Sequence, residues 1–363
     1  MAFAAPALFS TGTQPGLAPA VKLEKGSAGA DAGAGGFGGE LLSAAAGAMG
    51  VAQPDPLTDA LSSAFVHLVA APGLSTCRLR FLPRSDFPAL APGDALTLKL
   101  GDGAAAPSVV FSGSVARVSS NQGSLDVLLA GPAAKLGRKR LNTGYENQGF
   151  ADLLKAWAAE AGVNTGRIDA GPDYAFFAID DRLSLWDWVA RVARHADVPA
   201  WVDAAGTLNA TAPAGQPVAT FRHGENLLAL DTHARDPVVT GGRIVGEGSA
   251  GRQGSDAWAW LAKDPQGVSA GGAAGGAVEQ EGGLRDLASV AAAALGAAAG
   301  AARIADIVEV RVPGTAVLDV ASVFELTHCP GGEGDGRWAV SEVRHQFSAR
   351  GGFVTEIVGV ALS

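Results

Sequence analysis

The sequence has 363 residues, a formal net charge of −9 and an isoelectric point of about 5.2. This acidic balance argues against a nucleic acid held by a basic surface. The two cysteines, Cys77 and Cys329, are too few and too far apart for a disulfide framework, a zinc ligand set or a redox pair, so we expect no metal and no cofactor.

Residues 1–72 are rich in Gly and Ala and are predicted to form a flexible segment. The stretch Met1–Pro6 lacks the basic leader of a secretory signal, which favours synthesis and assembly in the cytoplasm. Gly33–Gly38 matches G-x-G-x-x-G, but low-complexity sequence precedes it where a dinucleotide site needs a strand. We therefore interpret it as a linker.

The next segment alternates in the two-residue period of half-buried strands, first over Cys77–Phe81 and then over Leu96–Leu100. The spacing Val115-x-x-Val118 breaks this alternation and predicts a bulge or sharp twist beside Gly113. Together these strands indicate a small antiparallel barrel or sandwich.

A central insert follows. Phe150–Ala161 has helical spacing of its apolar residues, and Gly162 supplies the stop. Ser184–Asp187 is a start of the capping-box kind, with Asp where Glu or Gln is usual. Trp201–Leu208 predicts a hairpin, so the insert is expected to be helix–helix–hairpin.

The C-terminal third repeats the first β-pattern. Val340-x-x-Val343 has the same spacing as Val115-x-x-Val118, again between two turns and two strand-like runs. We therefore predict two copies of one β-unit. The helix predicted over Leu284–Ala302 is dominated by Ala and Gly and falls short of the ~20 strongly apolar residues of a membrane span, so no membrane insertion is expected.

The predicted fold class is mainly β with α insertions (α+β), with two similar tube-like antiparallel β-barrel domains flanking the insert. The predicted segments are a flexible N-terminus (1–72), a first β-barrel unit (73–144), the insert (145–215), strands leading back to the β core (216–245), a Gly-rich loop (246–283), and a helix with the second β-barrel unit (284–363).

Candidate catalytic groups each have a simpler structural interpretation. None of the six histidines has a metal-ligand spacing; His195 is expected at a helix end or on the surface, and His345 in a half-buried strand. Thr327–Cys329 places base and thiol on opposite faces of a strand, which excludes a nucleophile pair. Asp180 and Asp181 are interpreted as helix entry.

The tryptophans divide into two groups. Trp157, Trp186, Trp188 and Trp201 are expected in the core of the insert. Trp258 and Trp260 lie in the Gly-rich loop and are the best candidates for a contact with a partner. No nucleophile elbow or phosphate loop is present, so the chain is predicted not to be an enzyme.

Three motifs in the same order resemble the phage late control protein D family, the gp27-like baseplate hubs of contractile tails and contractile injection systems. The match covers about Leu74–Ser363. The motif residues are Asp94, Gly101, Phe111 and Gly113 in the first unit, Trp186, Asp187 and Gly206 in the insert, and Trp338, Val340 and His345 near the end.

The resemblance implies a homotrimer that forms a pseudo-sixfold ring from six similar β-units. Such a hub joins the tail tube protein to a trimeric spike and contacts other baseplate components, inside a particle that can leave the cell. Some family members continue into a spike. This sequence stops after the second β-unit, so the resemblance implies a VgrG-like hub with a separate spike protein.

Two other functions are carried as alternatives. A cell-wall hydrolase of a tail would need a pocket with convergent titratable groups. A glycan-binding β-protein would use Trp258 and Trp260. Loss of particle assembly on truncation of residues 246–283 would favour the hub, whereas loss of glycan binding alone would favour the third function.

Overall fold

The computed structural model describes residues 19–26, 55–103, 106–234, 243–246, 269–271 and 278–362. The chain is mainly β, with a large antiparallel sheet and α-helical insertions, as the sequence predicts. The Gly33–Gly38 motif lies outside the described residues. None of the helices in the ranges above is long and apolar enough to cross a membrane.

Twelve strands of the described chain form the large sheet. These strands are β1 (Ala20–Lys25), β2 (Leu61–Val69), β3 (Thr76–Phe81), β4 (Ala95–Gly101), β5 (Ser108–Asn121), β6 (Ser124–Ala130), β12 (Ala219–Arg222), β13 (Ala229–Ala234), β17 (Asp306–Pro313), β18 (Val323–Thr327), β19 (Gly336–Ser348) and β20 (Gly352–Ala361). Their order in the sheet is β1-β4-β5-β6-β3-β2-β19-β20-β17-β13, and β18 pairs with β19 and β12 with β18 beside this path. Only the β12–β18 pair among them is parallel.

The remaining elements build the insert and its surroundings. Short sheets are formed by β7 (Thr143–Gly149) with β9 (Asp173–Ile179), by β8 (Asn164–Ile168) with β10 (Ala200–Val202) and β11 (Thr207–Ala210), and by β14 (Arg243–Gly246) with β15 (Ser269–Ala270) and β16 (Val278–Glu281). The helices are α1 (Pro56–Asp59), α2 (Ala133–Arg138), α3 (Phe150–Ala161), α4 (Leu185–His195) and α5 (Leu287–Arg303).

The large sheet consists of two units with one strand order. The first unit runs β2-β3-β6-β5-β4, and the second runs β13-β17-β20-β19-β18. Each order is antiparallel throughout, and each unit carries one further strand on its last member, β1 on β4 and β12 on β18. The internal duplication predicted from the sequence is therefore present in the strand topology.

The phase slip predicted beside Gly113 is a β-bulge. The register of β5 against β6 shifts between Val115 and Arg117, and the register of β19 against β20 shifts between Val340 and Glu342. A bulge places an extra residue on one strand, so the apolar side chains resume three positions later. The shared Val-x-x-Val spacing is thus one bulge occurring in both units.

The turn that is hydrogen-bonded to each bulge, before β4 in the first unit and before β18 in the second, is also duplicated. In the first unit the Asp94 carbonyl accepts from Val115 N, and in the second the Ser322 carbonyl accepts from Val340 N, both at 2.8 Å. Gly93 and Ala321, the residues just before, both have positive φ, at 98° and 64°. The two turns therefore share a backbone hydrogen bond and a residue with positive φ, although their side chains differ.

Registers make the two cores comparable residue by residue. Because Cys77 pairs with Leu129 and Val308 pairs with Gly359, these residues occupy equivalent sites, and Leu96 is likewise equivalent to Phe324. In the second unit the larger Phe324 ring stands where the first unit has Leu96, and Gly359, in place of Leu129, leaves room for it. The two alternative packings are Cys77, Leu96 and Leu129 in the first unit, and Val308, Phe324 and Gly359 in the second.

Two separate closed barrels are not found in the described residues. The two units instead share one continuous sheet, because β2 pairs with β3 on one side and with β19 on the other. A strand with partners on both edges leaves neither unit free to close by itself. The prediction of two barrels is corrected to two sheet units joined edge to edge.

The N-terminal segment predicted to be flexible contains regular structure. Within it, β1 pairs with β4 from Ala20 to Lys25, and β2 runs from Leu61 to Val69. The composition-based prediction was wrong for these stretches because their strand partners lie far along the chain, where local composition carries no information about them. Leu23 on β1 is 2% exposed, so this strand adds to the core.

The insert has its own hydrophobic core, formed by α3, α4, α5 and the short sheets. The predicted helix over Phe150–Ala161 is confirmed, with Gly162 left-handed at φ 62°. The predicted capping box is also confirmed: the Ser184 and Asp187 side chains bond to each other's backbone N–H groups. The predicted hairpin is formed by β10 and β11. Helix α5, assigned from the sequence to the segment of the second β-unit, packs on this insert core.

Candidate assembly interface

The two β-units of one chain meet at the antiparallel pair of β2 and β19. Seven residue pairs connect them, from Glu342 opposite Val69 to Ser348 opposite Ser63. All of them follow the bulge of β19, whose residues before the bulge pair with β18. The bulge therefore lets one long strand serve two different neighbours.

Apolar side chains cover one face of this junction. Ala64, Val66 and Leu68 of β2 are buried, and they alternate with half-exposed or exposed neighbours. Val343, His345 and Phe347 of β19 are buried on the same face. On the opposite face Glu342 Oε1 lies 2.7 Å from His67 Nε2 and 2.5 Å from Arg344 Nη2.

His345 is the one titratable side chain buried inside the junction pairs. It lies opposite Val66, is 1% exposed and sits 3.0 Å from the Thr355 hydroxyl through Nδ1. The Thr355 hydroxyl donates to the Thr315 carbonyl, so the histidine Nδ1 must carry the hydrogen of the shared bond. Burial lowers the pKa of His345 to about 4. His345 lies on a strand, as predicted, but it is a neutral core histidine and not half-buried.

The strands equivalent to β19 and β2 are β5 and β13, and each has an edge without a strand partner among the described residues. The part of β5 after its bulge, Ala116–Asn121, pairs with β6 on one side and has no strand partner among the described residues on the other. In the part of the chain that the structure describes, strand β13, the equivalent of β2, pairs with β17 alone. All residues of these two edges are exposed except the half-buried Val118 and Leu230. Unpaired edges of this kind present free backbone donors and acceptors.

The insert is tied to both β-units by tryptophan side chains. Trp186 Nε1 donates to the Gly73 carbonyl at 2.8 Å, next to the first unit. Trp201 lies on β10, but its ring packs in the core of the large sheet, and its Nε1 donates to Asp319 at 3.3 Å. Burial raises the pKa of Asp319 to about 6. Of the four tryptophans predicted in the insert core, three lie there and Trp201 bridges to the sheet.

We expect Trp186→Phe to lower the free energy of unfolding by about 2 kcal/mol, because it removes a buried hydrogen bond and ring volume. Urea unfolding of the full chain measures this. Trp188→Phe is the matched variant, since its Nε1 bond to the Asp180 carbonyl is longer, at 3.3 Å, and we expect a smaller loss. An equal loss in both variants would contradict a specific role for the bond to Gly73.

One group of side chains could be considered for a metal. Ligand atoms of His195, Glu279 and Glu281 lie within 4.8 Å of one another. Arg191 Nε is 2.5 Å from Glu281, and Arg194 contacts Glu279, so both carboxylates already have cationic partners. The His195 imidazole, and after it Arg194, lower the pKa of Glu279 to about 2. We interpret this group as an ion-pair network that fixes β16 to α4.

For His195 the first of the two predicted positions, a helix end, is the one found. It is the last residue of α4, as expected, but it is 1% exposed and not on the surface. Asp180 differs from its prediction: its carboxylate accepts from Arg182, while Ser184 caps the helix. Burial, followed by Asp335, raises the pKa of the Cys329 thiol to about 11, which does not suit a nucleophile.

The family-motif residues do not converge on one site. They lie at turns, bulges, caps and strand positions: Asp94 in the turn before β4, Gly101 at the end of β4, Phe111 and Gly113 on β5, Trp186 and Asp187 in the first turn of α4, Gly206 in the β10–β11 turn, and Trp338, Val340 and His345 on β19. Such positions maintain the fold. Trp258 and Trp260, proposed for a partner contact, lie outside the described residues.

Two of these residues illustrate the structural role. A Cβ on Gly113 would lie 2.4 Å from the Ala130 carbonyl oxygen, so only glycine fits there. Trp338, at the equivalent position of the second unit, donates from Nε1 to the Gly334 carbonyl at 2.8 Å. The free edges of β5 and β13 have no signal in the sequence, because edge pairing depends on strand order and not on local pattern.

Solved structures with the same fold are tail proteins and a secretion-system component. A 43 kDa tail protein of prophage MuSo2 from Shewanella oneidensis has a TM-score of 0.63 at 11% identity, covering 94% of this chain and 98% of that one. A tail protein from Neisseria meningitidis MC58 has a TM-score of 0.60 at 15% identity, covering 83% and 92%.

The third structure is an Escherichia coli component of the type VI secretion system, described as structurally similar to the T4 bacteriophage tail proteins gp27 and gp5. Its TM-score is 0.53 at 12% identity, covering 84% of this chain and 74% of that one. No family profile matches the sequence, and no curated protein matches it. The resemblance to gp27-like tail proteins is thus confirmed at the level of the fold.

Proposed function

We propose that this chain is a structural, non-enzymatic hub of a phage tail or a related contractile injection system, in which three copies close into a ring. The observation that carries the proposal is the duplicated sheet. One junction between units is made within the chain, by β2 and β19, and the equivalent strands β13 and β5 are left with free edges. A chain with one satisfied and one open junction of the same kind is suited to closing with copies of itself.

Three copies of such a chain would give six similar β-units. A ring of this kind can meet a sixfold tube on one side and a threefold spike on the other without breaking closed symmetry. The shared fold with tail proteins supports these partners: a tail tube protein, a separate spike protein and other baseplate components. The particle containing the ring would be assembled in the cytoplasm.

The non-enzymatic part of the proposal is supported by the engagement of the candidate catalytic groups. His345, Cys329 and the Glu279–Glu281 pair are each buried or bound to a structural partner in the described chain. The four tryptophans that were predicted to lie in the core are 0–9% exposed, so they do not form an exposed sugar-binding strip; they are Trp157, Trp186, Trp188 and Trp201. Within the described residues no observation favours the hydrolase alternative, and Trp258 and Trp260, on which the glycan-binding alternative depends, lie outside them.

Native mass spectrometry over a concentration series tests the ring. We expect a species of three times the 36.3 kDa chain mass that grows with concentration. Thr232→Lys on β13 should abolish it, because a lysine that points inward on an edge strand prevents pairing. Thr220→Lys is the matched control, since it places the same change on the exposed edge of β12. A monomer at all concentrations, or equal effects of both variants, would contradict the proposal.

A further inference from the structure

We infer that β13 of one copy adds to the part of β5 after its bulge in the next copy, antiparallel and in one register, with Val118 opposite Ala234. This inference rests on the proposed ring and assigns its contact surface. The occupant of both free edges is a second copy of this chain. The chain itself contains the template for this contact, in the pairing of β2 with β19.

The equivalence of the strands fixes the register in two steps. The bulges align Val115 with Val340, so Val118 is equivalent to Val343 and Ser120 to His345. This step fixes the alignment of β5 with β19, because positions in both strands are counted from the same β-bulge.

The second step places β13 on β2. Val66 pairs with Cys77, and Thr232 pairs with Val308, while Cys77 and Val308 are equivalent through their partners on β6 and β20. Thr232 is therefore equivalent to Val66, and His233 to His67. Within the chain, His345 lies opposite Val66. Between chains, Ser120 accordingly lies opposite Thr232.

The four cross-strand pairs that follow are chemically compatible. On the core side Val118 faces Ala234 and the Ser120 hydroxyl faces the Thr232 hydroxyl; on the other side Ser119 faces His233 and the Asn121 amide can donate to the Asp231 carboxylate. Hydroxyl pairs and amide–carboxylate pairs stabilise neighbouring strands, and no like charges oppose each other.

The ladder is expected to end at Val118. Val118 is opposite Ala234, the last residue of β13, so the strand offers no partner for Arg117 in this register. At the equivalent place within the chain Glu342 lies between His67 and Arg344. The contact between copies is thus shorter and more polar than the junction inside the chain, which suits a ring assembled from folded monomers.

The geometry also favours closure over an open filament or a twofold dimer. The contact is head to tail, because β13 and β5 are different strands, and head-to-tail contacts form rings when the rotation closes. If each intermolecular contact repeats the relation between the two units of one chain, the rotation per unit is constant around the assembly. A twofold dimer held by a single strand contact would instead pair one edge with itself.

Pairs of introduced cysteines test the register in the full-length chain. Neighbouring antiparallel pairs alternate between Cα separations of ~4.5 and ~5.5 Å, and both are within the range of a disulfide. We expect oxidation of Ser119→Cys/His233→Cys or of Ser120→Cys/Thr232→Cys to give a ladder of up to three linked chains on a non-reducing gel. The natural cysteines, Cys77 and Cys329, are buried.

The matched control is Ser120→Cys/Asp231→Cys, whose side chains would point to opposite faces of the sheet and should not link. The single variants control for links through Cys77 or Cys329. Trimers by native mass without a ladder from either expected pair would overturn this register while leaving the hub function intact. Monomers alone, with no ladder, would overturn the ring and the pairing together.

Discussion

Gly359→Leu is expected to destabilise the second β-unit by about 3 kcal/mol or more, at the upper end of what overpacking costs. A Cβ at Gly359 would lie 2.7 Å from Phe324 Cζ and 2.8 Å from Val308 Cγ2, and both neighbours are 0% exposed. Neither the Phe324 ring nor the Val308 side chain can move without displacing a further core residue. Urea or thermal unfolding of the full chain measures the loss.

The duplication predicts a specific rescue. The first unit has Leu129 where the second has Gly359, and it tolerates this with Leu96 in place of Phe324. Adding Phe324→Leu to Gly359→Leu should therefore recover at least half of the lost stability, although Phe324→Leu alone leaves a cavity and should cost about 1 kcal/mol. Additive losses in the double variant would contradict the equivalence of the two cores.

Acid should weaken the chain through His345. Its pKa is about 4 in the folded chain, against 6.5 without burial. The unfolded chain therefore binds more protons between these values, so the stabilisation is complete above about pH 6.5 and declines as pH falls toward 4. The slope is ~1.4 kcal/mol per pH unit, which amounts to about 3 kcal/mol over the window.

The difference between wild type and His345→Gln isolates this contribution. Asp319 must be separated in the same way, because its pKa is raised to about 6 and its effect has the opposite sign, with stability rising as pH falls toward 3.8. We expect His345→Gln to flatten the decline between pH 6.5 and 4, and Asp319→Asn to steepen it. Parallel curves for wild type and His345→Gln would show that folding does not lower the pKa of His345.

Local signals in the sequence predicted the elements that depend on local physics. The bulges were visible because they break a two-residue alternation at Val115 and Val340, and the caps at Gly162 and Ser184 because helix ends need particular residues.

Long-range pairing could not be predicted in this way. Strand β2 pairs with β19 some 280 positions away, and this one contact turns two predicted barrels into one continuous sheet. Likewise the helix-end position of His195 was predicted, but its burial was not, because the carboxylates of Glu279 and Glu281 that lie against it come from a distant strand. Burial at such sites is decided by tertiary packing.

The most direct test of the central claim is the number of copies of this chain in an assembled particle. Sheathed tail particles isolated from the producing cell would be analysed by quantitative mass spectrometry against the tube and spike proteins. We predict three copies per particle, which corresponds to six β-units in one ring. A particle that lacks the chain, or contains it in a number that is not a multiple of three, would contradict the account.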